Sequence, residues 1–452
     1  MARTSRLKKV HRQDFAGCLR DFFNPAAWRR LHQAGAAFEK KRSRWTLQPL
    51  LTVGLVMALS NARTRREQFE DGRELYEALH PRRRRCGDSV EGFLMALEQL
   101  PLAVLFALRI ELQIYILRNR IDPSRVGRWR AFGLDGTKQN LPLTDGNLEY
   151  YGSATKKPPR PQRILAVAFG LATRTVWDWQ AGKARDSERD LVLQVSRRLP
   201  DGALVVADAG MVGYEWVRAV RESRKHLLIR VGANCRLLSD QEWDVEWRDG
   251  KVWLWPKSKR NEAPLVLRLI QVKGLGRKRK GKRAGIWLLT DVMDPKELTL
   301  REARELYKMR WPANEVGFRV WKHVLQGEKA FSRTPEQAER EGTLSLLGMM
   351  LIQAQVEVAQ KKQHAVRQHA SVAKGAAAWR KAARHYAANR STREFQKEMS
   401  EATVDTYQRK KPKVKRHWAE RKDHSFATRP VVLKITEGVK IDGLQKLEVA
   451  GG

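Results

Sequence analysis

The sequence predicts an α/β protein: a mixed sheet flanked by helices, with a β-rich insertion, an N-terminal helical module and a basic helical C-terminal region. Three observations predict it. Between residues 126 and 234 short apolar β-type runs alternate with amphipathic helical ones, the pattern of a sheet with helices on its faces. From 235 to 290 tryptophan-rich, alternating runs interrupt that pattern, and it closes with helical stretches from 291 to 355. Residues 1–125 read as helical, and 356–452 as a Lys/Arg/His/Ala-rich region.

The N-terminal module is expected to be built on two apolar runs, Trp45 to Leu59 and Phe93 to Leu117, the second interrupted by Pro101. Between them Pro81–Arg85 reads as a charged linker. The module fits DNA binding or dimerisation, and equally a plain structural role, since no helix-turn-helix signature is present.

In the central segment, Arg130–Leu134 reads as a strand ending at Asp135-Gly136-Thr137. Ile164–Thr173 and Val176–Gln180 read as two more strands, joined by a two-residue turn at Arg174-Thr175. A helix capped by Ser187 follows, then the buried-type strand Ala203–Ala207 ending at Asp208, a helix over Tyr214–Glu222 and a strand over Leu227–Val231. Asp135 and Asp208 thus both fall at strand ends, where ligands gather in open α/β sheets. Aspartate after a strand is also an ordinary turn residue, and it is the pair that points to a site.

In the insertion, Trp243–Trp247 and Lys251–Trp255 alternate around a turn at Arg248-Asp249-Gly250. Leu265–Val272 and Ile286–Thr290 form a second pair. Their connection carries seven cations between Lys273 and Arg283, including Arg277, Lys278, Arg279 and Lys280. At the tip of a hairpin such a run can follow DNA phosphates, although most charge runs are solvated loops. Most of the insertion's tryptophans should be core.

The closing segment contains Y-K-M-R-W-P-A-N-E-V-G-F-R-V-W-K, from Tyr307 to Lys322. As a helix, with Pro312 in its first turn, it sets Glu315, Arg319 and Lys322 on one face. An amphipathic core helix would look the same. The alternative is a metal-binding carboxylate beside cations that grip a phosphate backbone.

Composition narrows the choice. Lys and Arg number 88 against 50 Asp and Glu, a formal charge of +38 distributed through all 452 residues. An imbalance of that size calls for a polyanion, and nucleic acid is the commonest one. Cys18, Cys86 and Cys235 are far apart, without zinc-like spacing, and read as reduced thiols of a cytoplasmic protein. No apolar run approaches the length of a membrane span, and the first residues lack the apolar segment of a signal peptide. The absence of a Gly-rich P-loop argues against an ATP-driven helper.

Residues 127–355 resemble the DDE transposases of bacterial insertion sequences, in particular the cut-and-paste subgroup with a β-rich insertion before its last acid. The resemblance rests on LDGTKQNLP at Asp135, LVVADAGMVGYE at Asp208, GKARDSERDLV between them, and Tyr307, Arg310, Glu315 and Lys322. It departs from the Tyr-Arg-Glu-Lys signature in having four residues between Arg310 and Glu315, so that Asn314 takes the strict position, and in Ala209 following Asp208. The resemblance implies a ribonuclease H-like core in which Asp135, Asp208 and Glu315 hold two Mg²⁺ or Mn²⁺ ions. Tyr307, Arg310, Arg319 and Lys322 would position phosphates. It also implies double-stranded DNA as partner, a homodimer in the synaptic complex, and a nucleoid-associated bacterial protein. The competing expectations are a nuclease of the same fold without strand transfer, and a DNA-binding protein that has lost catalysis.

Overall fold

The computed structural model describes residues 14–38, 43–153, 155, 158–240, 249–275, 278–279, 282–283, 285–363, 369–389, 392, 394–404 and 429–435. Helices α1 (Phe15–Phe22), α2 (Pro25–Ala34), α3 (Leu47–Leu59), α4 (Arg65–Leu79), α5 (Val90–Gln99) and α6 (Leu102–Arg118) come first. Strands β1 (Arg125–Val126) and β2 (Trp129–Asn140), helix α7 (Asp145–Tyr151), β3 (Gln162–Gly170), β4 (Thr175–Lys183), α8 (Glu188–Arg197), β5 (Leu204–Ala207), α9 (Tyr214–Glu222) and β6 (His226–Val231) follow. Next are β7 (Arg236–Ser239), β8 (Asp249–Leu254), β9 (Leu265–Val272), β10 (Lys278–Arg279), β11 (Lys282–Arg283) and β12 (Ile286–Thr290). The chain continues with α10 (Leu300–Val324), α11 (Pro335–Lys362), α12 (Val372–Asn389), α13 (Phe395–Glu401) and β13 (Val431–Lys434).

These elements form two compact units. One comprises Met1–Asp122, Lys138–Arg163 and Phe318–Asp405; the other comprises Pro123–Thr137, Ile164–Gly317 and Thr406–Gly452. The five consecutive segments read from the sequence are distributed over both, the closing segment being divided at Phe318.

The first unit is helical. Helix α3 is apolar nearly all round and almost wholly buried, as expected of a helix surrounded by others. Helix α4 starts with a capping box: Thr64 accepts from the Glu67 N–H while the Glu67 carboxylate accepts from the Thr64 N–H. Pro101 separates α5 from α6 as the sequence suggests. One expectation is corrected here. Helix α11 is long and apolar enough, by length and composition, to cross a membrane, yet its apolar stretch is entirely buried. It packs on α3, α6, α12 and α13 of its own unit, so its hydrophobicity is spent in a protein core.

The second unit holds the sheet, ordered β13-β7-β8-β9-β12-β6-β5-β2-β3-β4, with β1 paired to β2. It is mixed: β2–β5 and β5–β6 are parallel, whereas β6–β12, β12–β9, β9–β8 and β8–β7 are antiparallel. The insertion strands thus continue the central sheet. A buried cluster joins Phe132, Leu134, Val205, Ala207 and Ile229 of the strands to Leu191, Val192 and Val195 of α8 and Val217 and Val220 of α9. Trp253, Trp255 and Trp287 are buried, while Trp243 and Trp247 lie outside the described residues.

Several local readings change. Strand β2 runs on to Asn140, so Asp135 lies within the strand instead of ending it. The β3–β4 turn spans Leu171–Arg174, with Arg174 at φ +62°. Asp249 and Gly250 begin β8, opposite Ile270 and Leu269, and do not form a turn. The reason is an ion pair: Arg268, 2% exposed, donates to Asp249 Oδ1 at 2.7 Å and also to the Leu298 carbonyl at 2.8 Å. Pro312 lies in the interior of the single helix α10 and not in a first turn. Asp249→Ala will leave Arg268 buried without its carboxylate and cost about 3 kcal/mol, seen as a lower urea midpoint. A wild-type midpoint would show that the pair is not holding β8 against β9.

Candidate active site

The site is assembled by register. Strands β2 and β5 pair with Ala131 opposite Leu204 and Gly133 opposite Val206. Extending that register by two residues sets Asp135 level with Asp208. Because side chains alternate along a strand, Gly133 and Asp135 share one face of the sheet, while Phe132 and Leu134 turn to the core side with α8 and α9. Each aspartate is oriented by the backbone: Asp135 Oδ1 accepts from Gly136 N at 3.0 Å, and Asp208 Oδ1 from Ala209 N at 2.8 Å.

Helix α10 lies over this face. Two glycines allow the approach: a Cβ on Gly133 would collide with Asn314 Oδ1, and one on Gly317 would meet Phe169 Cε1 at 2.8 Å. Tyr307, Arg310 and Asn314, spaced i, i+3 and i+7, form the helix face that meets the site. The buried Arg310 bridges the two aspartates, with Nη1 2.9 Å from Asp135 Oδ2 and Nη2 3.6 Å from Asp208 Oδ2. The Tyr307 hydroxyl donates to Asp208 Oδ1 at 3.3 Å. Arg230, from β6, brings Nη1 to 4.0 Å from the same oxygen.

The electrostatics are those of a crowded acidic site around one cation. Burial pushes the Asp135 carboxyl up to about 6; Arg310 and the Gly136 N–H oppose the rise, and Glu188 and Glu315 add to it. Burial likewise pushes the Tyr307 hydroxyl up to about 12. Burial by itself lowers the Arg310 pKa, but Tyr307, Asp208 and Asp135 together hold it above its ordinary value.

The structure therefore brings together Asp135, Asp208, Tyr307 and Arg310. The last two, expected to position phosphates, are turned to the aspartates. Glu315 is exposed and within electrostatic range of Asp135, whereas its neighbour Asn314 is 0% exposed against Gly133. Neither Asn314 Oδ1 nor Nδ2 has a hydrogen-bond partner among the described residues. Arg319 is exposed and Lys322 half-buried on the part of α10 that belongs to the helical unit. Lys278 and Arg279 lie in β10, which pairs antiparallel with β11 (Lys282–Arg283), between the paired strands β9 and β12 in sequence. Arg277 and Lys280 lie outside the described residues.

Sequence reasoning missed Arg230, Glu188 and the structural use of Arg189, whose Nε donates to the Gly210 carbonyl at 2.5 Å and ties down the loop after Asp208. The GKARDSERDLV stretch was the available signal for the latter two.

The donor chemistry fits a hard divalent cation, because every acidic group here offers oxygen and Asp135 is a buried anion in need of positive charge. As arranged, with Arg310 between the aspartates, no three His, Cys, Asp or Glu side chains among the described residues form a ligating group.

Residues 131–351, just under half of the chain, match the family model described as Transposase DDE domain. No curated protein matches the chain by sequence. Among solved structures, the cryo-EM structure of a piggyBac transposase synaptic complex with hairpin DNA is similar over 87% of this chain and 86% of that one, at 10% identity and a TM-score of 0.42. The mixed sheet flanked by helices and the N-terminal helical region are those expected from the sequence, and they are consistent with a ribonuclease H-like transposase fold. The chain thus carries a region similar to DDE transposase domains, with paired aspartates at its centre.

The Asp135 carboxyl also sets a pH dependence. Its folded value lies above the 3.8 of an unperturbed aspartate, so the folded state holds the extra proton, and stability falls as pH rises from about 4 through about 6. Urea denaturation at both ends of that range will show the fall in the wild type and a flatter profile in Asp135→Asn, whose amide does not titrate. Identical profiles in the two proteins would contradict the burial of this carboxyl.

Proposed function

We propose that the chain is a DNA transposase of the insertion-sequence type, which binds transposon ends, cleaves the strands and joins the released 3′-hydroxyl to target DNA. The observation that carries this reading is the bridging by Arg310 of Asp135, in β2, and Asp208, just past the end of the adjacent parallel strand β5, within a region that matches a transposase DDE domain. Asp135, Asp208 and Glu315 would hold the divalent ions, Mg²⁺ or Mn²⁺. When bound, such ions would activate the attacking oxygen and stabilise the leaving one in an in-line displacement.

The protein's own groups prepare that site. The sheet fixes both aspartates, α10 closes one side, and the Tyr307 hydroxyl holds Asp208 in orientation. Arg310 compensates both aspartates until a cation or a phosphate diester takes over part of that role. Arg319 and Lys322 are exposed enough to meet backbone phosphates, and the basic hairpin tip extends the footprint. In this reading the partner is double-stranded DNA, the working form is a homodimer in a synaptic complex, and the setting is the bacterial cytoplasm and its nucleoid.

Asp135→Asn, Asp208→Asn and Glu315→Gln will each abolish cleavage and joining of end DNA with Mg²⁺ while gel shifts show binding retained, because removing negative charge cannot weaken attraction to phosphate. Lys322→Ala will instead lower affinity and slow both steps. Substantial cleavage by Asp135→Asn or Asp208→Asn would overturn the proposed chemistry, and cleavage without a joined product would make the protein a nuclease.

Neutralising Arg277, Lys278, Arg279 and Lys280 together will weaken binding to all sequences alike and flatten its salt dependence, by about one unit of slope for each DNA phosphate left without its cation. An unchanged slope in salt titrations would mean that the hairpin tip is only solvated.

A further inference from the structure

We propose that the outer face of α6 is a self-association surface, on which a second copy of this chain lays its own α6 antiparallel about Ile110. Helix α6 is apolar nearly all round, yet only one side of it is covered. Val104, Leu105, Leu108, Leu112 and Ile116 are buried where it packs on α2 and α11 of its own unit. On the other side Phe106, Ile110, Ile114 and Leu117 are 40%, 47%, 36% and 48% exposed, and Ala103 is exposed at the head of the row. Apolar residues all round a helix suit one that is covered on both sides.

The charges nearest the row are engaged within the unit. Glu111 is buried and accepts from Arg30 Nη2 at 2.6 Å, and Arg118 Nη2 donates to Asp21 Oδ1 at 2.9 Å. The Arg109 guanidinium lies 5.5 Å from the centre of the Phe106 ring. Nucleic acid therefore fits this face poorly, because phosphates need cations or polar donors and the row offers neither. In a chain of net charge +38, a bare apolar face is suited to another apolar face.

Spacing selects the partner. The row advances in steps of three and four residues, the spacing of a seam between two helices. Turned end for end about Ile110, it matches itself: Phe106 falls opposite the partner's Ile114, and Ala103 opposite the partner's Leu117, small against large at each end. A two-fold contact requires such self-complementarity, whereas a lipid surface has no use for it. The antiparallel sense also sets the positive end of each helix beside the negative end of the other. The exposed parts of the five side chains come to roughly 400 Å² per copy, and with the half-exposed Ala107 and Gln113 a pair covers about 1,000 Å², the least that a specific contact needs. A contact at this limit gives a dimer that comes apart on dilution. Two chains of charge +38 repel each other, so screening by salt will strengthen the pair, the opposite of its effect on a DNA contact. The pairing needs neither DNA nor the aspartates, so it stands apart from the transposase reading and its synaptic dimer.

Sedimentation equilibrium of the full-length protein without DNA, over a range of concentrations at low and at high salt, tests this. The wild type is expected to dimerise reversibly, and more tightly at high salt. Ile110→Glu and Ile110→Lys each set two like charges against each other at the two-fold axis, and each is expected to weaken the dimer on the order of tenfold or more. Mixing the two variants is expected to restore association, because opposite charges then meet at the axis, and that recovery also shows both variants to be folded. A wild type that stays monomeric at every concentration overturns the proposal, as does Ile110→Glu dimerising like the wild type, or a dimer that salt dissolves. A mixture that fails to recover overturns the antiparallel register about Ile110. Flotation with phosphatidylcholine vesicles covers the other occupant: a monomeric wild type that floats, beside an Ile110→Glu variant that does not, makes the row a lipid-binding face and rejects the dimer.

Discussion

The parallel register of β2 against β5 is the constraint on which the rest of the site depends. A shift of one residue would turn Asp135 to the core side and present Leu134 in its place, because side chains alternate along a strand. The register is held by burial on both sides of the strand. Phe132, Leu134, Val205 and Ala207 are packed into the cluster with α8 and α9, and Gly133 accepts the close approach of α10. Glycine at 133 and aspartate at 135 are therefore parts of one arrangement: the first lets the helix descend, and the second meets the arginine the helix carries.

Arg310 shows how a strongly basic chain can keep an acidic centre. Setting a largely buried carboxylate beside a second one is costly unless they are compensated, and a single guanidinium spanning both serves that purpose. Its planar fork suits oxygen pairs in a way that a lysine's ammonium would not. On the proposed reading, the same contact would make an incoming ion exchange against an existing partner instead of entering a bare anionic pocket.

Where the residue pattern was local and strong, it was legible. Helix α9 and strands β9 and β12 fall where their apolar periodicity places them, and Ser187 caps α8 through its side chain. The places where reading failed required partners distant in the chain. Gly136–Asn140 is polar and looks like a loop, yet β3 beside it keeps it in β2. Asp249-Gly250 has the composition of a turn, but Arg268 holds it in a strand. Pro312 suits a helix start; inside α10 it leaves the Lys308 carbonyl without its usual N–H partner, a cost of about 3 kcal/mol that packing of the Tyr307–Asn314 face on the sheet offsets. In the site, the two aspartates could be read from their strands, whereas Arg230 could not: nothing near it in sequence announces that β6 lies beside β5.

Strand β13 matters in a different way. It comes from the far end of the chain and pairs in parallel with β7, from Val431 opposite Arg236 to Lys434 opposite Ser239. An open sheet is vulnerable at its margins, where unpaired backbone groups invite strands from other molecules. Here the segment covers one margin with a strand that is itself short, mostly exposed and ends in lysine, a poor template for further addition. Shortening the protein from its C-terminal end would uncover β7, and the first symptom to expect is self-association, with loss of soluble protein, before any loss at the aspartates.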